Sequence, residues 1–230
     1  MKLILISDTH NKHLQIPKKY LENTDGSIDT IIHAGDISGR GYKNEIVPFL
    51  AWYNELPFKN KILIAGNHDF FFEEGTPKDI KEMLANYHNI TYLNDSGVEI
   101  DGIKIWGSPV QPWFYNWAFN RVGADIQKHW DLIPLDTDIL IVHGGPKGVG
   151  YLNLTMEGED VGCPYLFDKL SELKNLSLFV QGHIHEGNGV FQFADGATFV
   201  NASVLNRRYE MQNRPYIVTL DENKKVILVE

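Results

Sequence analysis

Five short polar clusters concentrate the chemistry-bearing side chains of this chain: Asp8-Thr9-His10, Gly35-Asp36, Gly66-Asn67-His68-Asp69, His143-Gly144 and Gly182-His183-Ile184-His185. Their donors are oxygen and nitrogen, with no sulfur, a set that suits hard-to-borderline divalent cations. Asp8 and His10 stand two apart, as do His183 and His185, and on extended backbone the members of such a pair project to the same side. Asp36 carries two oxygens and so can bridge two ions. Asn67 adds a neutral carbonyl oxygen and His143 a ring nitrogen. Asp8, His10, Asp36, Asn67, His143, His183 and His185 around two ions leave positions open for water and substrate, which marks a catalytic rather than a structural metal site.

Two ions roughly 3.5–4 Å apart can hold a bridging water and lower its pKa from about 15.7 to about 7. Hydroxide then forms at neutral pH, and the same ions neutralise charge during an in-line displacement at phosphorus. His68, next to Asn67, is the candidate to stabilise that charge or to protonate the leaving oxygen, help worth roughly 10²–10⁴-fold. Asp69 either orients the His68 imidazole or caps the turn. His33 either supports Asp36 from behind or packs in the core. His13, His88 and His129 lie outside the clusters and read as ordinary surface or core residues. Gly35, Gly66, Gly144 and Gly182 read as tight turns requiring positive φ.

The elements that must position these groups are legible in the apolar pattern. Each cluster follows an apolar run: Leu3–Ser7, Thr30–Ala34, Ile62–Ala65, Ile139–Val142 and Ser177–Gln181. Such runs are typical of strands buried on both faces of a parallel sheet. Open α/β sheets collect ligands at the carboxyl ends of their strands, so one rim gathers all the clusters. Helix-spaced apolar residues predict a helix over Asn44–Asn54, with Pro48 near its first turn. Thr76-Pro77 marks a helix start, and Ala124–Leu132 and Pro164–Leu173 are further helices. Asp101-Gly102 and Asp195-Gly196 predict two hairpins, and Tyr216–Leu220 pairs with Val226–Val229. Gly107–Asn120 is irregular and holds Trp113, Phe114, Tyr115, Trp117 and Phe119. It is either lid and core packing or a wall on which a nucleobase stacks, with Trp113 the candidate contact. Gly144–Gly162 reads as a long functional loop. A chain that begins as α/β and ends in hairpins buries both runs in a four-layer α/β/β/α sandwich, two mixed sheets with flanking helices, as a single domain over residues 1–230.

Composition bounds the partners. The chain has 230 residues, 43% hydrophobic and 22% charged, the profile of an ordinary globular protein. Its net charge of −9 argues against a nucleic-acid backbone as the main partner. Small phosphorylated substrates stay open, because bound metals supply local positive charge. The single cysteine, Cys163, excludes an intrachain disulfide and reads as a small buried residue near a helix start. The first apolar run is too short for a signal-peptide core and no segment approaches a membrane span, so a cytoplasmic location is expected.

Taken in order, Asp-x-His, Gly-Asp, Gly-Asn-His-Asp, His-Gly and Gly-His-x-His resemble the calcineurin-like metallophosphoesterase superfamily over the whole chain. A finer likeness lies in His33-Ala34-Gly35-Asp36, Trp106-Gly107-Ser108-Pro109, Trp117-Ala118-Phe119-Asn120, His143-Gly144-Gly145-Pro146, Gly182–Gly187 and Asn201-Ala202-Ser203. These are similar to the metallophosphoesterase-domain-containing proteins, phosphodiesterases like the class III cyclic-nucleotide enzymes. The resemblance implies that Asp8, His10, Asp36 and His185 hold one ion and that Asp36, Asn67, His143 and His183 hold the other, with His68 as the acid. It implies a phosphodiesterase acting on a small, nucleotide-like substrate, attacked in line by metal-bridging hydroxide; Asn67 and His68, with Trp113 from the aromatic stretch, are the residues expected to contact that substrate. Manganese or iron is the expected metal, with zinc, cobalt or nickel compatible with the same donors. A phosphomonoesterase, or a nucleotide-binding scaffold with little turnover, is the alternative. Some relatives replace the first histidine of the last motif by glycine, whereas this chain keeps His183. The animal proteins read His-Gly-Pro-Pro where Gly145 stands here before Pro146. Gly35-Asp36-Ile37-Ser38-Gly39-Arg40 matches the protein phosphatases poorly, which argues against a phosphoprotein substrate.

Overall fold

The computed structural model describes residues 1–193 and 196–230. In chain order the strands are β1 (Lys2–Ile6), β2 (Thr30–Ala34), β3 (Asn60–Ile64), β4 (Ile90–Tyr92), β5 (Ser96–Ile100), β6 (Ile103–Ser108), β7 (Gln111–Pro112), β8 (Asn120–Arg121), β9 (Ile139–Val142), β10 (Leu178–Gln181), β11 (Gly189–Gln192), β12 (Thr198–Asn201), β13 (Tyr216–Leu220) and β14 (Val226–Val229). The α-helices are α1 (Lys43–Glu55), α2 (Phe70–Glu74), α3 (Pro77–Leu84), α4 (Gly123–Asp131) and α5 (Pro164–Leu170). Two six-stranded sheets form, ordered β14-β13-β1-β2-β3-β4 and β11-β12-β10-β9-β6-β5. Both are mixed. β1–β4 run parallel and β13 and β14 close the edge antiparallel. β6, β9, β10 and β12 run parallel, with β5 and β11 antiparallel at the two edges.

Alternation along the strands builds the layers. Leu3 and Leu5 of β1 face the second sheet, where they join Ile62 and Ile64 of β3 and Ile139, Ile141, Leu178 and Val180 of the partner sheet. Ile4 and Ile6 face outward onto Phe49, Leu50 and Tyr53 of α1. On the far side, Leu140, Val142 and Phe179 pack against Trp130 of α4 and Leu166 of α5. These three apolar clusters separate four layers, the α/β/β/α sandwich expected from the sequence. Because strands of period two bury both faces, β1, β2, β9 and β10 are almost uninterrupted apolar runs.

Local signals act as expected. The Thr76 hydroxyl accepts the Asp79 N–H and the Asp79 carboxylate accepts the Thr76 N–H, a reciprocal cap at the start of α3. Asp101 and Gly102, at φ 50° and 79°, form the tight turn between β5 and β6. β11 pairs antiparallel with β12, although Asp195 of the expected turn lies outside the described residues. The sequence pattern did not indicate β4, nor α2, the short helix that directly follows the Asn67-His68-Asp69 cluster. Among the described residues no helix is long and apolar enough to cross a membrane.

Candidate metal centre

All five clusters meet at the carboxyl ends of the parallel strands. Asp8 and His10 follow β1, Asp36 follows β2, Asn67 and His68 follow β3, His143 follows β9, and His183 and His185 follow β10. The turns that deliver them bend sharply. Asp8, His10, Asp36 and His183 adopt φ of 54°, 37°, 57° and 69°. Left-handed backbone is sparsely populated by such residues and costs about 1–3 kcal/mol each where the surroundings impose it. Of the four neighbouring glycines expected to take this conformation, only Gly35 does, at φ 101°. Gly182 is needed for a different reason: an added Cβ would lie 2.1 Å from Ser7 Oγ and 2.2 Å from Asp8 Oδ2. Only a bare backbone lets the β10 loop close onto Asp8.

The donor atoms fall into two groups that share Asp36. In the first, His10 Nε2 lies 3.3 Å from His185 Nε2 and 3.5 Å from Asp36 Oδ2. His185 Nε2 is 3.5 Å from Asp8 Oδ1. In the second, His143 Nε2 lies 3.4 Å from the same Asp36 Oδ2 and 3.1 Å from Asn67 Oδ1. His183 Nδ1 is 2.8 Å from that Asn67 oxygen. Donor atoms of Asp8, His10 and His185 lie within 4.8 Å of one another, as do those of Asp8, Asp36 and His143.

Hydrogen bonds from behind fix which ring atoms face inward. The Nδ1 atoms of His10, His185 and His143 sit 3.1, 3.0 and 2.8 Å from the carbonyls of Ser38, Asn206 and Ala34. A carbonyl only accepts, so each Nδ1 carries the proton and each Nε2 presents a lone pair. These lone pairs point at one another and at carboxylate and amide oxygens, in a buried setting. Such a cluster of acceptors is repulsive unless protons or cations lie between them. The donor set therefore fits a pair of divalent ions, with backbone carbonyls orienting the imidazoles.

With no ions between them, two of these rings would take a second proton at Nε2, which shows how strongly the centre draws positive charge. Burial works to lower His143 and His185, yet the charge of Asp36 beside His143, and the hydrogen bond and charge of Asp8 beside His185, push both up to about 9. Burial holds His10 down to about 4 and His183 to about 3. Burial would raise the Asp36 carboxyl, but the neighbouring imidazoles, His143 foremost, hold it well below the usual carboxylate range. The carboxylates thus keep their charge and draw positive charge into the centre.

Asp8 is braced twice over. The His183 N–H donates to Asp8 Oδ1 at 3.0 Å and the Ser203 hydroxyl donates to Asp8 Oδ2 at 2.6 Å. Asn201 Nδ2 donates to the Ile184 carbonyl at 2.8 Å, inside the His183–His185 loop. Asn201-Ala202-Ser203, noted in the sequence for its likeness to relatives, thus supports both ends of the first group. His33 lies in β2 with its ring against Phe49 of α1: its Nδ1 accepts the Gly35 N–H at 3.3 Å and its Nε2 lies 3.0 Å from Thr9 Oγ1. It pins the Asp8-Thr9-His10 turn to β2 and has no place among the donors.

His68 stands at the edge of the centre. Its N–H donates to Asp36 Oδ1 at 2.8 Å and its Nδ1 lies 2.8 Å from the Gly39 carbonyl, which leaves Nε2 as the available ring atom. Its ring stacks on Trp117 at 4.1 Å, with Arg40 over the indole at 5.1 Å. Asp69 does not orient this ring. Its carboxylate accepts the N–H groups of Ile37, Ser38 and Gly66 and the Ser38 hydroxyl at 2.6 Å. Burial, and then the charge of Asp36, push it up to about 6. Its short side chain turns back under the loop, clamping the β2 and β3 ends together, and the Gly39 carbonyl takes the orienting position instead.

A cleft of about 560 Å³ opens over Asp36, Asn67, His68 and His183. Trp113, Phe114 and Tyr115 form one wall of it, and Trp113 is 61% exposed. The aromatic stretch therefore divides. Trp113 to Tyr115 face the cleft, Trp117 backs His68, and Phe119 is core. The loop is tied down by Ala118 N–H to the Asn67 carbonyl at 3.1 Å and by Arg121 to Glu73 at 2.8 Å. Tyr209 also lines the cleft. No motif surrounds it, and its signals in the sequence are the turn-forming Asn206 and the adjacent Arg207 and Arg208. Cys163 is buried at the start of α5, as expected.

A family model described as calcineurin-like phosphoesterase matches residues 1–215. The Homo sapiens metallophosphoesterase domain-containing protein 1 is 37% identical over 241 residues, covering 95% of this chain and 71% of that protein. A dimetal phosphatase from Danio rerio superposes with a TM-score of 0.61 at 11% identity, covering 96% of this chain and 93% of the other. An archaeal phosphodiesterase superposes with a TM-score of 0.53 at 18% identity, covering 100% and 98%. At such identities the two structures speak for the fold.

Proposed function

The chain belongs to the calcineurin-like phosphoesterase family, and from that premise we propose that it is a dinuclear-metal phosphoesterase that hydrolyses small, nucleotide-like phosphodiesters. The observation that carries this reading is the placing of Asp36 Oδ2 between His10 Nε2 and His143 Nε2, at 3.5 and 3.4 Å. One carboxylate oxygen serves two clusters of inward lone pairs. Asp8, His10 and His185 would complete one ion site with Asp36, and Asn67, His143 and His183 the other. When bound, such ions supply Lewis acidity toward water and phosphoryl oxygens.

The chain's own residues do the rest. Ser38, Ala34 and Asn206 carbonyls hold three imidazoles in the ligating tautomer. The Gly39 carbonyl fixes the proton on His68 Nδ1, so that Nε2, once protonated, can pass a proton to the departing alkoxide. Trp117 keeps that ring in place by stacking. Trp113 to Tyr115 offer apolar faces on which a base or aryl group can rest, which supports a substrate that carries such a group on phosphorus. A small phosphoester is the partner, and a cytoplasmic setting accords with the single cysteine.

The test compares p-nitrophenol release from bis(p-nitrophenyl) phosphate and p-nitrophenyl phosphate by the manganese-loaded protein. Faster turnover of the diester supports the proposal, and faster turnover of the monoester replaces it with a phosphomonoesterase.

A further inference from the structure

Tyr209 belongs to no motif, yet its ring is set among the imidazoles of the centre. Its centroid lies 4.8 Å from His10, 5.2 Å from His185 and 6.5 Å from His68, edge-on to each. It lines the same cleft as Asp36 and Asn67. The backbone there is left-handed, at φ 58°. For a bulky side chain that conformation is an outlier, and strain of this kind persists only where surrounding structure imposes it.

The imposing structure is a compact turn. Leu205 and Met211 form a bridge at its base. Asn206 Oδ1 accepts the N–H groups of Arg208 and Glu210 at 2.8 and 3.0 Å, and Asn206 Nδ2 donates to Gln212 at 2.7 Å. Tyr209 N–H donates to the Asn206 carbonyl at 2.8 Å, and Lys12 Nζ donates to the Tyr209 carbonyl. That Asn206 carbonyl is the one that orients His185. One rigid turn thus sets a donor imidazole and delivers a phenol beside it. Both hydrogen bonds of Tyr209 come from its backbone, and its phenol oxygen has no partner among the described residues. A phenol ordinarily loses its proton only at about pH 10. It keeps its proton and is a donor.

We propose that, in the phosphoesterase described above, the Tyr209 hydroxyl donates a hydrogen bond to a non-bridging oxygen of the substrate phosphoryl group. An anionic oxygen between the two donor groups is the acceptor that a neutral phenol can approach at this rim, and the cleft offers no lysine or arginine among its lining residues to do the same. A hydroxyl bound to a charged acceptor contributes about tenfold or more.

The experiment titrates inorganic phosphate into manganese-loaded wild type and Tyr209→Phe by calorimetry, with kinetics on bis(p-nitrophenyl) phosphate in parallel. Tyr209→Phe should keep wild-type Tm and metal content while phosphate Kd rises and kcat/KM falls, each about tenfold. Tyr209→Leu should lose no more phosphate affinity than Tyr209→Phe; any further change in Tm then measures packing by the ring. Equal phosphate affinity in wild type and Tyr209→Phe overturns the contact, and normal wild-type turnover beside it leaves the enzyme standing. Phosphate binding that depends on Tyr209 without turnover of any phosphoester leaves the contact standing and removes the enzyme. A wild type that binds no phosphate but turns over the diester overturns the contact alone, and one that does neither overturns both.

Discussion

Replacing His33 by Gln should make the protein less sensitive to acid. His33 is fully buried, and its Nδ1 already accepts the Gly35 N–H, so it holds one proton, on Nε2, toward Thr9. Burial lowers it to about 3, against 6.5 for a free imidazole. As the pH falls, the unfolded chain therefore takes up a proton that the folded chain refuses. The stability tied to neutral His33 is intact above about pH 6.5 and is lost progressively as the pH drops toward 3. At pH 5 the loss is 1.5 pH units below the unfolded value, about 2 kcal/mol at 1.36 kcal/mol per unit. For a chain of this length that is about 4–8 °C in Tm. His33→Gln keeps an amide donor for Thr9 and has nothing to titrate. Between pH 7.5 and pH 5 the wild type should lose about 4–8 °C more than the variant in scanning calorimetry of the metal-free proteins. Equal losses, or a His33 ring resonance that titrates near 6.5 in NMR, would refute the reasoning.

Further outcomes follow from the centre and the cleft. Asp36→Asn removes the charge that both donor groups share, so elemental analysis after dialysis should find occupancy reduced at both sites; two ions retained per chain would reject the shared role. His68→Ala should keep its metal and lose roughly 10²–10⁴-fold in kcat on alkyl leaving groups, with a smaller loss for p-nitrophenolate. An equal loss for both leaving groups would instead assign His68 to charge stabilisation. Trp113→Ala should raise KM for a nucleotide diester several-fold, since a base–aromatic stack is worth about 1–3 kcal/mol. A large drop in Tm with equal kinetic losses on nucleotide and small aryl diesters would return Trp113 to packing.

The strands and the positions of the clusters were legible because burial on both faces writes itself as apolar runs, each ending at a ligand type. Asp36 was legible as a shared residue, but Oδ2 alone faces both donor groups, because Oδ1 accepts the His68 N–H. What the sequence hid was mostly backbone. The Ser38, Ala34, Gly39 and Asn206 carbonyls that choose the histidine tautomers carry no side-chain signature. Asp69 read as a neighbour of His68, but adjacent side chains diverge at a turn, and its carboxylate found four donors in the β2 loop and the Gly66 turn. The left-handed positions fell on the ligands themselves, where residue type gives no warning. Tyr209 reaches the imidazoles only through the turn after β12, a tertiary placement that no local sequence pattern encodes.

The central claim is that one carboxylate, Asp36, organises two ions into a single phosphoesterase centre. It is tested most directly by titrating metal-free protein with manganese while following hydrolysis of bis(p-nitrophenyl) phosphate. Chelated protein should be inactive, and activity should appear only as the second equivalent per chain binds. Full activity at one equivalent, or turnover that persists in excess chelator, would contradict it.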